Sequence, residues 1–326
     1  MLDQARLRTL EPLCARAPSA HNTQPWRLSY RADRVEVGWD PADTLPAGDP
    51  TGRDLRLSLG AYVETWLVVA AAAGLGLAFT PDHCAAAHRV GWLRPAAERY
   101  RTPFDAGTVR DRATHRGGYL TGPEPGTLAA ADAIARSAGG ALRPVPDTAL
   151  AGLLPAADRH LYADPATVRE LRGWLRLTPN HPRYERDGLT DRCLHLSRAQ
   201  AAGLRAALAG YPVLRRLGLP RLLAAAGGGP VRPGGRVLAL AGPPALDEPG
   251  QVEFGRVLMQ VWLTFTAAGL ACRPLSQLLD APATRAALAS QLRVAPEQLL
   301  HVARVGLPAT APVPSHRRVL PPPVPA

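Results

Sequence analysis

Two long apolar runs dominate the pattern of hydrophobic and polar positions. Residues 57–76 read LSLGAYVETWLVVAAAAGLG, and residues 252–271 read VEFGRVLMQVWLTFTAAGLA. Each run is longer than a typical strand, and each meets a glycine at its end, where a chain commonly leaves a helix. The pattern predicts two strong helices, at residues 53–73 and 251–268.

The two runs also resemble each other. When Gly60 is aligned with Gly255, the Ala-Ala-Gly-Leu ends coincide, and a strand with a Val-Gly end follows both runs. Apolar helices that end in Gly-Leu are common, so chance is one explanation, but the matched ends favour an internal duplication. Two similar halves in one chain could pack their long helices together as the subunits of a homodimer do.

Shorter patterns predict the remaining elements. Further helices are expected at residues 2–16, 125–137, 147–160 and 166–177, and strands within 27–40 and at 88–94, 141–146, 234–242 and 299–308. Residues 94–111 are predicted to be a linker, and residues 178–233 an irregular region with short helices. The Pro-rich tail is expected to be extended, because proline removes a backbone donor and fixes φ.

Composition narrows the class of protein. The chain has 326 residues, of which 46% are hydrophobic and 20% charged, so it suits one large globular domain or two modest ones. The formal charge is +11, but the arginines are spread along the chain without interleaved aromatic residues, so nucleic acid is not the expected partner. All 38 basic residues are arginine, which excludes a Schiff-base lysine and a P-loop lysine. A bound anion would need arginine, histidine or backbone N–H groups.

The cysteines and the apolar runs indicate the cellular compartment of the protein. Cys14, Cys84, Cys193 and Cys272 show no CxxC spacing, so neither a zinc site nor a disulfide framework is predicted. The apolar run at residues 66–77 is short and broken by glycine, and the N-terminal segment contains acidic residues and lacks the apolar core of a signal peptide. We therefore expect a cytoplasmic protein without a membrane partner.

The stretch APSAHNTQPW, residues 17–26, is unusually polar and rigid for this chain. Its two prolines restrict the backbone, and Ser19 and Asn22 can form local side-chain turns. One explanation is a well-made connection from helix to strand that Trp26 anchors in the core. The alternative is a rigid loop that holds polar groups against a planar, polar ligand, and spacing alone does not decide between them.

A second candidate motif is RDRATHRGG, residues 110–118. An extended backbone would place Arg112, Thr114 and Arg116 on one face, and a helix start would place the two arginines one turn apart. Either arrangement suits a phosphate, because guanidinium groups offer bidentate donors. The alternative is a solvated arginine cluster. A basic group in the tail could close over the same anion, and it consists of Ser315, His316, Arg317 and Arg318.

These motifs, together with GLACRPLSQ at residues 269–277, resemble the nitroreductase superfamily. They are most similar to its long single-chain members, the Acg-like FMN-binding proteins. The order of the motifs matches over nearly the whole chain; APSxHNTQPW is specific, whereas R-x-T-x-R alone is weak. The resemblance implies an α+β fold of two pseudo-symmetric halves, each a mostly antiparallel sheet wrapped by helices, which form an intramolecular pseudo-dimer. Ordinary members are homodimers that bind FMN at the subunit interface.

The resemblance also implies which residues bind FMN. R-x-T-x-R in one half would contact the phosphate, the ribityl chain and the pyrimidine edge, and the APSAHNTQPW loop of the other half would cover the flavin. Residues 274–276 would pass near flavin N5, a C-terminal arginine would bind the phosphate, and Gln24 could simply hold the loop. The expected cofactor-binding residues are Pro18, Ser19, Ala20, Asn22, Gln24, Arg112, Thr114, Arg116, Pro274, Leu275, Ser276 and Arg317 or Arg318.

Two departures from the family pattern carry information. The first half lacks an R-x-S-x-R segment and the second lacks its own APSxxNxQPW, so we expect one FMN per chain. The predicted boundaries are 1–108 for the first half and 109–326 for the second, which holds the phosphate clamp, a lid region at 178–233 and a C-terminal arm. We expect a monomer that acts as a pseudo-dimer.

The predicted function is that of an FMN-dependent oxidoreductase. Hydride would pass through flavin N5 between NAD(P)H and a small nitroaromatic or quinone-like acceptor, with no side chain assigned as acid or base. The alternative is an FMN-binding or storage protein with a lidded, poorly reactive flavin. A dinucleotide fingerprint at GGGPVRPGG, residues 227–235, is a weak rival, because it precedes a strand rather than following one. Sequence does not choose the acceptor or distinguish NADH from NADPH.

Overall fold

The structure, a computed structural model, describes residues 2–218, 223 and 234–318. The helices are α1 (Gln4–Cys14), α2 (Arg53–Ala72), α3 (Ala106–Asp111), α4 (Pro125–Ser137), α5 (Asp147–Ala163), α6 (Pro165–Trp174), α7 (Arg198–Leu214), α8 (Glu248–Ala267), α9 (Gln277–Asp280) and α10 (Pro282–Leu292). The strands are β1 (Trp26–Tyr30), β2 (Val35–Trp39), β3 (Leu77–Cys84), β4 (Arg89–Pro95), β5 (Ala141–Val145), β6 (Leu175–Arg176), β7 (Leu189–Thr190), β8 (Arg236–Ala241), β9 (Ala271–Pro274) and β10 (Leu299–Gly306).

The predicted helices agree with these bounds to within three residues at each end. Several other elements were not predicted, among them β9 and α10, and three of the differences have a clear physical reason. The predicted linker contains α3, which begins where the side chain of Asp105 accepts from the backbone N–H of Thr108. β3 lacks clear alternation and contains Pro81, which an edge strand tolerates because one side needs no ladder hydrogen bonds. α7 is a full helix in the region predicted to have short ones. Its capping box of Ser197 and Gln200 was a readable signal.

Two four-stranded antiparallel sheets share one topology. Their orders are β1-β2-β4-β3 and β5-β8-β10-β9, so in both sheets the third and fourth strands in chain order exchange places. A long helix, α2 or α8, joins the second strand to the third in each case. The α+β prediction with antiparallel sheets is confirmed. A short parallel pair, β6 and β7, lies in the insertion between β5 and β8.

The two long helices meet at the glycines that the repeat aligns. A Cβ on Gly60 would lie 1.8 Å from the carbonyl oxygen of Val252, and a Cβ on Gly255 would lie 2.4 Å from that of Leu57. The contact is reciprocal, because each glycine faces the residue three positions before the other glycine. Reciprocal contacts of this kind are typical of two-fold interfaces, so they support the predicted pseudo-dimer.

α2 is the central helix of one hydrophobic core. It is long and apolar enough to cross a membrane by length and composition, but 78% of its most apolar window is buried inside the described structure. Its Trp66 and Tyr62 pack with α1, β1 and β2, whereas Phe254 and Trp262 of α8 pack with α4 and the second sheet. Each long helix therefore supports its own sheet and also contacts the other helix.

Candidate functional site

A cavity of about 600 Å³ lies beside the contact between the two long helices. Its walls come from the N-terminal half of α2, from α8, from residues 18–22, from residues 112–116, and from β9 with the turn that follows it. Helices α5 and α6 and the C-terminal arm complete the enclosure. The volume falls within the range of about 300–1,000 Å³ that is typical of small-molecule and cofactor sites.

Most of the predicted cofactor-binding residues meet at this cavity. Those that line it are Pro18, Ser19, Ala20, Asn22, Arg112, Thr114, Arg116, Pro274, Ser276 and Arg317. Three others lie behind its walls: Gln24 and Arg318 hold neighbouring segments together, and Leu275 is buried in the core of the second sheet. Segments far apart in the chain thus form one site, as the resemblance predicted, although the role of each residue as a ligand remains a prediction.

The loop at residues 17–26 is rigid and locally strained. His21, Asn22 and Gln24 have φ values of 49°, 56° and 53°, in the left-handed region that side chains other than glycine seldom occupy. The hydroxyl of Ser19 accepts from the backbone N–H of Gln24 at 3.0 Å. Nδ2 of Asn22 donates to the carbonyl oxygens of Gly188 at 3.2 Å and His316 at 3.0 Å. The insertion and the C-terminal arm therefore fix the loop in a conformation that it would not favour alone.

The arginine motif is extended beyond α3. Thr114 forms a parallel bridge with Cys272, and the backbone N–H of His115 donates to the carbonyl oxygen of Cys272 at 3.1 Å. This pairing places the segment beside β9. Alternation along the extended backbone then directs Arg112, Thr114 and Arg116 to the cavity. Of the two arrangements left open by the sequence, the structure has the extended one.

Arg112 is a buried cation with unused donors. The residue is only 3% exposed, and its Nη2 donates to the carbonyl oxygen of Arg16 at 2.7 Å. Its Nε and Nη1 have no partner within the described residues. Burial, and then the charge of Arg16, lower the pKa of Arg112 to about 10. A buried charge without a counter-ion is costly, so this guanidinium favours an anion in the cavity.

Two further arginines add to the positive end of the cavity. Arg116 and Arg273 both line it, and within the described part of the chain neither forms an ion pair. Burial lowers the pKa of both, and the charge of Arg116 lowers that of Arg273 further. Sequence reasoning missed Arg273, although its place directly before Pro274 in the quoted motif was a usable signal.

Arg317 is already saturated by protein oxygens. Its Nε donates to the carbonyl oxygen of Ala15, and its Nη2 donates to those of Arg16 at 3.1 Å and Ala17 at 3.2 Å. Its Nη1 donates to Oδ1 of Asn22 at 2.9 Å and to two carbonyls of its own segment. All five N–H groups are thus in use. The geometry suits an arm that fixes the C-terminal end of α1 and the loop better than it suits a phosphate ligand.

Arg318 joins the arm to three other segments. Its guanidinium pairs with both carboxylate oxygens of Asp43, at 2.8 Å for Nη2, and its Nε donates to Oδ2 of Asp187 at 3.1 Å. Its backbone N–H donates to Oε1 of Gln24 at 2.9 Å, while Nε2 of Gln24 donates to the carbonyl oxygen of Arg186 at 2.8 Å. Gln24 and Arg318 therefore hold the cover of the cavity together.

The part of the insertion that covers the cavity begins earlier in the chain than the predicted lid region. Within the predicted lid region 178–233, Leu189 and Leu194 line the cavity. The lining begins earlier, however, with side chains of α5, α6 and the turn between them: Ala157, His160, Leu161, Asp164 and Thr167. Residues 219–222 and 224–233 of the predicted lid lie outside the described residues.

Replacing Asp187 by asparagine should loosen this cover. Asp187 is 1% exposed and accepts from Nη2 of the buried Arg176 at 2.8 Å, from Arg183 and from Arg318. Loss of the carboxylate leaves Arg176 buried without a counter-charge, which costs about 3–5 kcal/mol. Faster hydrogen exchange at residues 175–190 and a lower free energy of unfolding would report the change.

The pH dependence of the same contact has a definite sign. Burial alone would raise the pKa of Asp187, but hydrogen bonds from Arg183 and Arg176 hold it below the usual value. Its contribution to stability is therefore present above the unfolded-state pKa and is lost as the pH falls through the lowered one. The exposed Glu185→Gln substitution is the matched control. Equal exchange in the two variants would contradict the role given to Asp187.

The opposite end of the cavity is acidic. Asp49, Asp54 and Asp280 line it, and the buried guanidinium of Arg53 lies between the last two, with Nη2 at 2.8 Å from Oδ1 of Asp54 and 2.7 Å from Oδ1 of Asp280. His301 from β10 lines the same end, and its Nε2 has no partner among the described residues. These residues come from distant parts of the chain, so sequence spacing carried no signal for them.

His21 lies between the two charged ends. Burial, and then the charge of Arg116, lower its pKa to about 4 against the opposing charge of Asp54. The imidazole is therefore neutral at physiological pH, and its Nδ1 has no partner within the described ranges. The cavity is thus polarised, with arginines at one end, carboxylates at the other and a neutral histidine between them.

Sequence comparison identifies relatives of the whole chain. No protein-family model matches it. Rv3131 of Mycobacterium tuberculosis strain H37Rv, provisionally named an NAD(P)H nitroreductase, is 29% identical over 330 residues, which cover 98% of this chain and 90% of that protein. The protein acg of the same organism, named in the same way, is 42% identical over 62 residues, or 19% of each chain.

Among solved structures, the FMN-dependent nitroreductase NfnB from Mycobacterium smegmatis, in complex with NADPH, is 18% identical. The match covers 62% of this chain and 86% of NfnB, with a TM-score of 0.35. The near full-length sequence match to Rv3131 confirms the resemblance read from the motifs. The chain is a relative, along almost its entire length, of the mycobacterial proteins named as NAD(P)H nitroreductases.

Proposed function

We propose that this protein is an FMN-dependent oxidoreductase that binds one FMN per chain in the cavity between its two halves. The observation that carries the proposal is Arg112, a buried guanidinium that lines the cavity with two unpartnered nitrogens. The name of a relative that matches almost the whole chain, an NAD(P)H nitroreductase, supports a nicotinamide electron donor.

The residues present fit FMN. A dianionic phosphate would offset the charges of Arg112 and Arg116, and the hydroxyl of Thr114 offers a further hydrogen bond between them. The flat ring would lie in the rest of the cavity, against two segments that line its walls. These segments are Pro18–Asn22 and Pro274–Ser276. Arg273 lies directly before the second of these segments and would add positive charge beside the ring.

The protein's own contribution is position and charge. Bound FMN supplies hydride transfer between a nicotinamide donor and a second substrate. Whichever guanidinium of Arg112 and Arg116 lies farther from the phosphate would stabilise the negative charge that reduction places on the pyrimidine edge. The walls from α5 and α6 would exclude water, and the neutral His21 would offer a hydrogen bond without adding charge. The acceptor we propose is a small nitroaromatic or quinone-like molecule.

A second candidate function rests on the enclosure. The insertion, the loop and the C-terminal arm are tied together by Asn22, Gln24, Asp187 and Arg318. A cover held this firmly favours a storage or binding protein in which FMN stays bound but reacts slowly with nicotinamide. The two functions share the same cofactor and differ only in access.

The visible spectrum of the purified protein, followed by anaerobic titration with NADH and NADPH, tests both. We expect yellow protein whose flavin absorbance bleaches on addition of NADH or NADPH. Yellow protein that bleaches with a chemical reductant but not with either nucleotide would favour the storage function. Colourless protein that also fails to take up added FMN would contradict both functions.

A paired substitution tests where the phosphate binds. The Arg112→Ala, Arg116→Ala double variant should lose its flavin during purification. The matched control replaces two exposed arginines of the same region, Arg101 and Arg110, by alanine and should keep it. Unchanged flavin retention in the first variant would place the phosphate elsewhere.

A further inference from the structure

Asp280 lies at the acidic end of the cavity, one helical turn beyond Ser276. Its backbone N–H donates to the carbonyl oxygen of Ser276 at 3.0 Å, and both residues line the cavity. The side chain of Asp280 is 27% exposed. A molecule bound against the segment that contains Ser276 can therefore reach this carboxyl group.

The cluster around Asp280 has more carboxyl groups than cations. Arg53 is 4% exposed, and its one guanidinium group serves both carboxylates: Nε donates to Oδ1 of Asp54 at 2.9 Å, and Nη2 donates to Oδ1 of Asp280 at 2.7 Å. Asp49 adds a third carboxyl, which is 9% exposed and accepts from the backbone N–H of Leu55 at 2.8 Å. Two carboxylates that share one guanidinium group cannot both ionise without a cost in free energy, because like charges repel strongly at low dielectric.

The groups that face Asp280 from neighbouring elements do not remove this excess. Arg285 of α10 donates its Nε and Nη2 to two backbone carbonyl oxygens rather than to a carboxylate. His301 of β10 has a pKa lowered to about 4, chiefly by burial, so it is uncharged at neutral pH. From α5, Asp158 adds another acid, which accepts from Gln277 at 3.5 Å.

A proton retained by the cluster restores the balance. Burial, and then the charge of Asp54, raise the pKa of Asp280 to about 7 against the opposing charge of Arg53. The charge and hydrogen bonds of Arg53 hold the pKa of Asp54 below its usual value despite burial, and the hydroxyl of Ser276 lowers that pKa further. Asp54 is therefore the ionised member of the pair, and Asp280 is the member that faces the cavity with a proton.

We propose that Asp280 is a catalytic acid that donates its proton to an oxygen of the acceptor bound in the cavity. This proposal rests on the proposed function, which supplies the electron pair. When a quinone-like acceptor receives a hydride equivalent, one oxygen gains the carboxyl proton from Asp280, and the products are the hydroquinone and the Asp280 carboxylate. Arg53 stabilises that carboxylate until solvent returns the proton.

An infrared pH titration tests the retained proton without any flavin chemistry. The wild-type protein should show the C=O stretch of a protonated carboxyl group that disappears as the pH rises through about 7. Asp280→Asn should lose the part of the band that titrates near pH 7 and keep the part that belongs to Asp49, whose pKa burial raises to about 6. Asp280→Glu should keep the full band, and so should Asp158→Asn, because Asp158 is buried outside the cavity. A band of the same size in wild type and Asp280→Asn would overturn the proposal.

Acceptor reduction tests the donation step. With a neutral quinone, Asp280→Asn should slow oxidation of the reduced enzyme by a factor of about 10², and Asp280→Glu should restore most of the rate. The wild-type rate should fall as the pH rises through about 7, whereas the Asn variant should show no such fall. An unchanged rate in Asp280→Asn would overturn the proposal even if the infrared band is lost.

Two further results separate this proposal from its alternatives. If Asp280→Asn reduces a neutral quinone normally but loses affinity for an N-alkylpyridinium acceptor, the acidic cluster selects cationic acceptors. That result would overturn proton donation. If the protein never binds FMN, but the band near pH 7 is present in wild type and lost in Asp280→Asn, then the proposed function has failed while the retained proton is real. The visible spectrum and the infrared titration thus report the two failures separately.

Discussion

Arg112→Met is expected to stabilise the flavin-free protein and at the same time weaken FMN binding. Without an anion, Arg112 is a buried charge with two unpartnered nitrogens, so an apolar side chain of similar length should raise the free energy of unfolding by about 1–3 kcal/mol. Two charge-assisted hydrogen bonds to phosphate are worth about 3 kcal/mol together, so the dissociation constant for FMN should rise about 10²-fold.

The opposite signs make this substitution informative. Urea unfolding in the absence of flavin gives the first quantity, and quenching of FMN fluorescence on titration gives the second. Arg110→Met is the matched control, because Arg110 is exposed two residues earlier in the chain. A variant that is less stable without flavin and binds FMN normally would show that Arg112 is a structural cation rather than an anion ligand.

Gly60→Ala is expected to be strongly destabilising, because Gly60 has the tightest backbone approach among the glycines that the structure describes. The added Cβ would lie 1.8 Å from the carbonyl oxygen of Val252 and 2.7 Å from Cα of Gly255. Both neighbours are backbone atoms of α8, so the helices must move apart rather than repack a side chain. Overpacking usually costs about 1–3 kcal/mol, and we expect at least about 3 kcal/mol here because backbone meets backbone.

The same substitution should also disturb the cavity. Leu57 and Ser58 of α2 and Leu258 and Trp262 of α8 line it, so a wider helix pair changes its walls and should weaken FMN binding. Gly152→Ala and Gly203→Ala are controls within α5 and α7, where a Cβ meets nothing within 4 Å. These controls should stabilise the protein by about 0.5–1 kcal/mol. Thermal unfolding of Gly60→Ala at the wild-type midpoint would refute the tight helix contact.

Much of the fold could be predicted because its signals are local. The helices α2 and α8 follow from long apolar runs that end in glycine, and β8 and β10 follow from short buried runs. β3 escaped prediction because its pairing with β4, rather than its own pattern, holds it in a sheet. The division into two halves remains a prediction that the shared strand order supports, but the predicted boundary after residue 108 falls within α3.

The candidate site also has a part that could be predicted from local motifs and a part that could not. Pro18–Asn22 and Arg112–Arg116 belong to short motifs that can be recognised along the chain, and the structure brings both to one cavity. The acidic cluster could not be predicted, because Asp54 and Asp280 meet only through the folded contact of Arg53. Arg317 shows a different limit, since it lines the cavity but its five donors are committed to protein oxygens.

The reciprocal contact of Gly60 with Gly255 joins two similar helices that belong to one covalent chain. In a homodimer, a site built at such a contact comes apart when the protein is diluted below the dissociation constant of its subunits. Here the linking peptide keeps the two walls at a fixed, high effective concentration. The affinity of the cavity for its ligand should therefore not depend on how much of the protein a cell makes.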